Sequence, residues 1–231
     1  MNEAHDFLPR AKLAATTATD ARIIRDIWDG PRAHDGCFLW WGPTPGTDLS
    51  NFANTAGTPL TGKPCEEGLD WFRYFLVLDP KWNWRTLIRE QFELLFEQSI
   101  QMHASTYGGD NPDLASFRAR GGKLLMVHGW ADQFVPAQKS VAYFQAVEER
   151  MGGAKATAEF ARLFLIPGGD HGFSGVMPAP STVSTAALIG ALVQWVEHNQ
   201  APQNIVAELA DDHGKVVRTR SLLPYSVNAQ K

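Results

Sequence analysis

Lys123-Leu124-Leu125-Met126-Val127-His128-Gly129-Trp130-Ala131-Asp132 and Ala161-Arg162-Leu163-Phe164-Leu165-Ile166-Pro167-Gly168-Gly169-Asp170-His171 decide the fold. Each begins with a short, nearly all-apolar run, the pattern of a strand covered on both faces. Each run then breaks at once into a glycine-containing turn. Between them Val141, Phe144, Val147 and Met151 recur at helical spacing, and beyond them Leu188, Leu192, Trp195 and Val196 do so near residues 185–199. Strand, helix, strand, helix implies parallel strands joined by crossovers, so the expected class is α/β with an open sheet. In such sheets reactive groups collect just beyond the C-terminal strand ends, where Asp132 and His171 stand.

Outward from this core the texture changes. Residues 205–224 hold two extended stretches around Gly214, expected to form a hairpin against the body. Upstream, Gly108-Gly109-Asp110-Asn111-Pro112 breaks the chain, dividing a partial lid or cap (1–107) from the core portion (108–231). Within the cap, Thr17 and Asp20 form a capping-box-like start for a helix carrying Ile23, Ile24, Ile27 and Trp28, which Asp29-Gly30-Pro31 stops. A second helix is predicted over 84–102, with Ile88, Phe92, Leu95, Phe96 and Ile100 on one stripe. From Pro31 to Pro80 no period holds, yet the segment is dense in large rings, which argues against disorder. The plainest role for any one ring is packing within the cap.

Composition narrows the functional classes. The 231 residues are 44% hydrophobic and 20% charged, with a formal net charge of −4 and therefore no basic footprint for nucleic acid. No apolar run approaches the roughly 20 residues needed to span a bilayer, so no membrane partner is expected. The opening Met1 to Asp6 lacks the basic and apolar regions of a secretory signal, leaving localisation open. Cys37 and Cys65 are too few for a disulfide scaffold and are either one bridge or two free thiols. No cofactor and no metal ligand set is expected.

An acid after one strand and a histidine after the next is the layout of the later members of a Ser-His-Asp triad, in the order Ser, Asp, His of the α/β-hydrolases. The histidine takes the nucleophile's proton and the carboxylate fixes its tautomer. Taken singly, Asp132 could cap a helix starting near Pro136, and His171 could be a loop histidine. Their strands and their order favour the catalytic reading. Asp170 is a decoy acid, because neighbours in sequence rarely face each other, and His128 is expected to hydrogen-bond within its turn. No nucleophile elbow precedes Asp132: Ser50, Ser99, Ser105 and Ser116 lack the flanking glycines, and Ser174 follows the histidine.

At these motifs the chain resembles the tannase and feruloyl esterase family, which includes bacterial hydrolases of aromatic monoesters. The resemblance rests on Asn111 through Leu124, His128-Gly129-Trp130-Ala131-Asp132, Arg162 through Gly168 with His171, Leu192 through Glu197, and the ending Arg218 through Tyr225. Asp29-Gly30-Pro31-Arg32 and Asp35-Gly36 also look like the helix and turn after the family's lid start. The resemblance implies an α/β-hydrolase core with a lid inserted before the acid and histidine, often in secreted or periplasmic proteins. It implies Asp132 as triad acid, His171 as triad histidine, and Trp40, Trp41, Trp71 and Phe72 as contributors to an aromatic pocket. Three departures are visible. The nucleophile half is absent, so the chain is expected to begin inside the lid. Gly172 stands where the family has a brace cysteine after the histidine, and the family's calcium loop lies upstream of these residues.

The leading expectation is therefore a carboxylic ester hydrolase of aromatic-acid esters, present as a fragment or split subunit. Its partners would be a small aromatic ester and either a nucleophile-bearing N-terminal half or a second copy meeting an uncovered sheet face. The alternatives are a degenerate hydrolase domain kept as a binding module, and another α/β-hydrolase of peptidase or dienelactone type.

Overall fold

The computed structural model describes residues 17–50, 54–59, 61–171, 181–211, 213 and 215–226, so Ser174, Gly172 and Gly214 lie outside the described residues. The described residues divide into two compact units, one within 17–42 and 49–110, the other within 43–48 and 111–226.

In the first unit, helix α1 (Ala18–Asp29) starts at the capping box read from sequence, with Asp20 N–H donating to Thr17 Oγ1 at 3.1 Å and Thr17 N–H to the Asp20 carboxylate at 3.0 Å. It stops at Gly30, whose φ of 73° only glycine adopts freely. A small antiparallel pair follows, β1 (Thr55–Ala56) with β2 (Thr61–Gly62). Next come α2 (Glu66–Trp71), a π-helical turn (Phe72–Leu76), a 3₁₀ turn (Trp84–Thr86) and α3 (Arg89–Tyr107). The expected helix over 84–102 thus begins five residues later and runs five further. The Asn83 side chain accepts from Arg85 N–H and holds a separate 3₁₀ turn ahead of the helix, which continues until Gly108. Its stripe is half-buried only at Phe92, Leu95 and Phe96, while Ile88 and Ile100 are exposed.

The second unit contains α4 (Ala115–Ala119), β3 (Leu124–Gly129), α5 (Ala137–Arg150), α6 (Ala154–Thr157), β4 (Ala161–Ile166), β5 (Ser181–Thr182), α7 (Thr185–His198), β6 (Ile205–Ala210) and β7 (Val216–Leu222). β3 and β4 pair in parallel, from Leu124 opposite Ala161 to Gly129 opposite Ile166, with α5 in the crossover as expected. β5, β6 and β7 form an antiparallel sheet in which β6 and β7 are the predicted hairpin. The chain then returns to β4, where Tyr225 N–H donates to the Leu163 carbonyl at 2.7 Å.

Alternation along β4 sorts its side chains onto two cores. Phe164 and Ile166 join Val183, Ile205, Ala207 and Leu222, with Leu125 and Val127 of β3 against them. Ala161 and Leu163 join Phe144, Val147 and Phe160, with Leu124 and Met126 against them. β4 is therefore covered on both faces, as its apolar run predicts. β3 is only half-buried over Leu124–His128, because among the described residues it pairs with β4 alone. α7 also departs from its predicted stripe. Trp195 is buried, but Val196 is exposed together with Ile189 and Val193, since the helix turns that side away from the β5–β7 sheet.

Candidate active site

The site is built where β3 and β4 end. Because the strands are parallel and in register, both chains leave the sheet side by side. Backbone hydrogen bonds then lace the two turns together: Trp130 N–H donates to the Ile166 carbonyl and Ala131 N–H to the Gly169 carbonyl, both at 2.8 Å. Gly129 makes this approach possible. A Cβ there would collide with the carbonyl oxygens of Gly169 and Asp170, so any side chain would push the turns apart. Residues 43–48 buttress the same turn, the buried Thr44 hydroxyl donating to the Trp130 carbonyl at 2.5 Å.

Asp132 is 5% exposed and His171 stands beside it, with Nδ1 3.0 Å from Asp132 Oδ2 and 3.3 Å from Oδ1. The other carboxylate oxygen, Oδ1, accepts the amides of Phe134 and Val135, both at 2.8 Å. The cap reading and the pairing reading of Asp132 therefore both describe it: one oxygen shapes the turn before α5 and the other meets the histidine. Burial works to raise the Asp132 pKa, but the Val135 and Phe134 amides and the His171 ring outweigh it and hold the carboxyl below its usual value. The charged form is thus favoured where a histidine partner needs it.

His171 is anchored at its backbone, where its N–H donates to Gln133 Oε1 at 3.1 Å, and its ring lies edge-on to Phe134 at 5.2 Å. Its side chain is 53% exposed. With Nδ1 turned to Asp132, Nε2 has no hydrogen-bond partner among the described residues and can meet a reacting group. His128 contributes more than the local turn contact expected of it. Besides the Val135 carbonyl at 3.0 Å, its Nε2 reaches Asp132 Oδ2 at 3.1 Å, and its Nδ1 lies 2.8 Å from Ser140 Oγ. The i,i+4 spacing of His128 and Asp132 across a strand-to-turn bend could have signalled that contact. Asp170 is buried, and the carboxylate at His171 Nδ1 is that of Asp132.

The remaining candidates belong to the other unit. Trp40 meets Trp41 edge-on at 5.1 Å and approaches Phe96 at 6.3 Å. Trp71 stacks on Phe75 at 4.7 Å and donates its indole N–H to Ser99 Oγ at 2.9 Å. Phe72 stacks on Trp82 at 5.4 Å. All four residues are half-buried, and Trp40, Trp71 and Phe72 meet side chains of α3, the last through Phe92 at 6.1 Å. Cys37 and Cys65 are free, Cys37 bonded to Asp35 at 3.3 Å and Cys65 to Glu67 at 2.7 Å. Among the described residues no group of three or more His, Cys, Asp or Glu side chains could hold a metal ion. No helix among them is long and apolar enough to cross a membrane.

Comparison with known proteins bears on the whole arrangement. A family model described as tannase and feruloyl esterase matches residues 73–230. A probable feruloyl esterase of Arthroderma benhamiae is 35% identical over 213 residues, covering 90% of this chain and 39% of that protein's length. The mono(2-hydroxyethyl) terephthalate hydrolase of Piscinibacter sakaiensis is 38% identical over 130 residues, covering 55% of this chain and 20% of the relative. Among solved structures, the tannin acyl hydrolase of Aspergillus niger superposes with a TM-score of 0.79 at 21% identity, over 90% of this chain and 40% of that one. The fold is thus that of part of an α/β-hydrolase, and the chain spans 39% of the length of the first of these relatives.

Proposed function

We propose, since this chain belongs to the tannase and feruloyl esterase family of hydrolases, that it supplies the acid and the histidine of a serine ester hydrolase acting on esters of aromatic acids. The observation that carries the reading is the pair itself: a buried carboxylate held ionised, bonded at 3.0 Å to Nδ1 of an exposed histidine whose Nε2 is free among the described residues. In that role His171 Nε2 takes the proton of an attacking serine, then returns it to the leaving alcohol. It next does the same for the water that cleaves the acyl-enzyme. Asp132 keeps the ring in the Nδ1–H tautomer and stabilises the imidazolium that forms.

The serine and the oxyanion donors come from polypeptide outside these residues, so the chain by itself turns over no ester. Two features support an additional covering chain: β3 pairs with β4 alone among the described residues, and α7 exposes Ile189, Val193 and Val196. The test is a graft of residues 111–226 into the corresponding segment of the Arthroderma benhamiae relative, assayed on methyl ferulate. The expected result is hydrolysis that falls by about 10⁴-fold on Asp132→Ala and about 10⁶-fold on His171→Ala. A graft whose rate ignores His171→Ala refutes the reading. For the 231-residue chain alone, a fluorophosphonate adduct would overturn the external nucleophile, with Ser174 the first residue to inspect.

A further inference from the structure

The Asp132 carboxylate serves two imidazoles, and His171 is only one of them. We propose that His128 is a positioning residue that sets the Asp132 carboxylate before His171 engages it, an inference that rests on the acid–histidine reading above.

The hydrogen-bond geometry assigns the His128 tautomer. Nε2 faces two acceptors, Asp132 Oδ2 at 3.1 Å and the Val135 carbonyl at 3.0 Å, so it must carry a proton. Nδ1, 2.8 Å from Ser140 Oγ, then accepts from that hydroxyl in the neutral ring. The ring is 13% exposed and spans the turn from the end of β3 to the first turns of α5. Asp132 Oδ2 thus receives an N–H from His128 and another from His171, while Oδ1 receives the Phe134 and Val135 amides.

The origins of these donors separate their roles. His128 and the two amides come from the same turn as Asp132 and leave β3 with it. His171 arrives from β4. With the His128 donor in place, the plane of the carboxylate is fixed from both oxygens without any help from His171. Without it, Oδ2 is steadied only by the ring it has to orient. The shared oxygen also divides the carboxylate's charge between two rings, which tempers its pull on His171.

The test uses side-chain NMR on the 231-residue chain, which needs no turnover. In the parent protein, ring nitrogen shifts are expected to show His128 solely as the Nε2–H tautomer. An Nδ1–H tautomer there overturns the proposal without any variant. His128→Asn keeps a polar group near Ser140 but removes the donor to Asp132, whereas His128→Gln places an amide N–H close to where Nε2 was. The carboxyl-carbon titration of Asp132 is expected to move upward in H128N and to return to the parent position in H128Q. The His171 Nδ1–H signal should broaden through faster water exchange in the first variant and recover in the second. A midpoint unchanged in a folded H128N, or one displaced equally in H128Q, overturns the proposal, because packing alone does not distinguish those side chains by donor position. D132N tests the parent reading separately. If His171 keeps its Nδ1–H signal unaltered there, the acid–histidine pair fails whatever His128 does.

Discussion

Replacing Gly129 with alanine should damage the fold and the site by one mechanism. The new Cβ would lie 2.5 Å from the Gly169 carbonyl oxygen and 2.6 Å from its carbon, and closer still to the Asp170 oxygen. Ordinary van der Waals contact begins at 3.4 Å, so the β4 turn must retreat by roughly 1 Å. Both sides of the clash are backbone, and no flexible side chain can absorb it. Overpacking of this kind costs about 3 kcal/mol, the upper part of its usual range. A retreat of that size along the His171–Asp132 direction would stretch their 3.0 Å contact to about 4 Å, beyond hydrogen-bonding reach. Amide hydrogen exchange along β3 and β4 reads this unit by itself, and a 3 kcal/mol loss appears there as roughly 100-fold faster exchange. Gly190→Ala is the control, since nothing stands within 4 Å of a Cβ at that helical position, and it should be neutral or slightly stabilising. Exchange in G129A within about fivefold of the parent (roughly 1 kcal/mol), with the His171 Nδ1–H signal intact, would refute the argument.

Three further outcomes follow from the same geometry. The Asp132 carboxyl is depressed in the folded state, so its contribution to stability is present above the unfolded value near about 4 and lost as pH falls through the folded one. The stability gap between the parent and Asp132→Asn, measured by urea unfolding, should therefore be largest near neutrality and shrink in acid. Phe164→Ala empties a fully buried position in β4 and should cost about 3–5 kcal/mol by hydrogen exchange of the same strands, whereas a loss under about 1 kcal/mol would contradict the packing described. The hydrogen bond from Cys37 to Asp35, with the charge of that carboxylate, raises the thiol pKa, so alkylation of Cys37 at neutral pH should be slow and Asp35→Asn should accelerate it.

Short-range physics made much of this molecule legible from sequence. The apolar runs at 124–129 and 161–166, the helical spacing around Phe144 and Val147, and the Thr17–Asp20 capping box depend on neighbours within a few residues, and each appears as an element close to where the pattern places it. Order along the chain was enough to bring Asp132 and His171 forward as a pair, because parallel strands deliver consecutive turns to one edge. Boundaries were less legible where local hydrogen bonds compete, as at Asn83, which separates a 3₁₀ turn from α3. Burial was least legible where it depends on what lies opposite. Val196 fits the stripe of α7 but is exposed, and Trp40 meets Phe96, Trp71 the Ser99 hydroxyl and Phe72 the Phe92 ring, partners that no periodicity connects to them. The finest features of the site belong wholly to tertiary structure. Gly129 has to be glycine because the register of β3 against β4 brings a foreign carbonyl onto it, and His128 shares Asp132 because the chain bends back between them. The first is set by distances of a few tenths of an ångström between segments about forty residues apart, and the second by the bend of one turn; both exist only once the chain has folded.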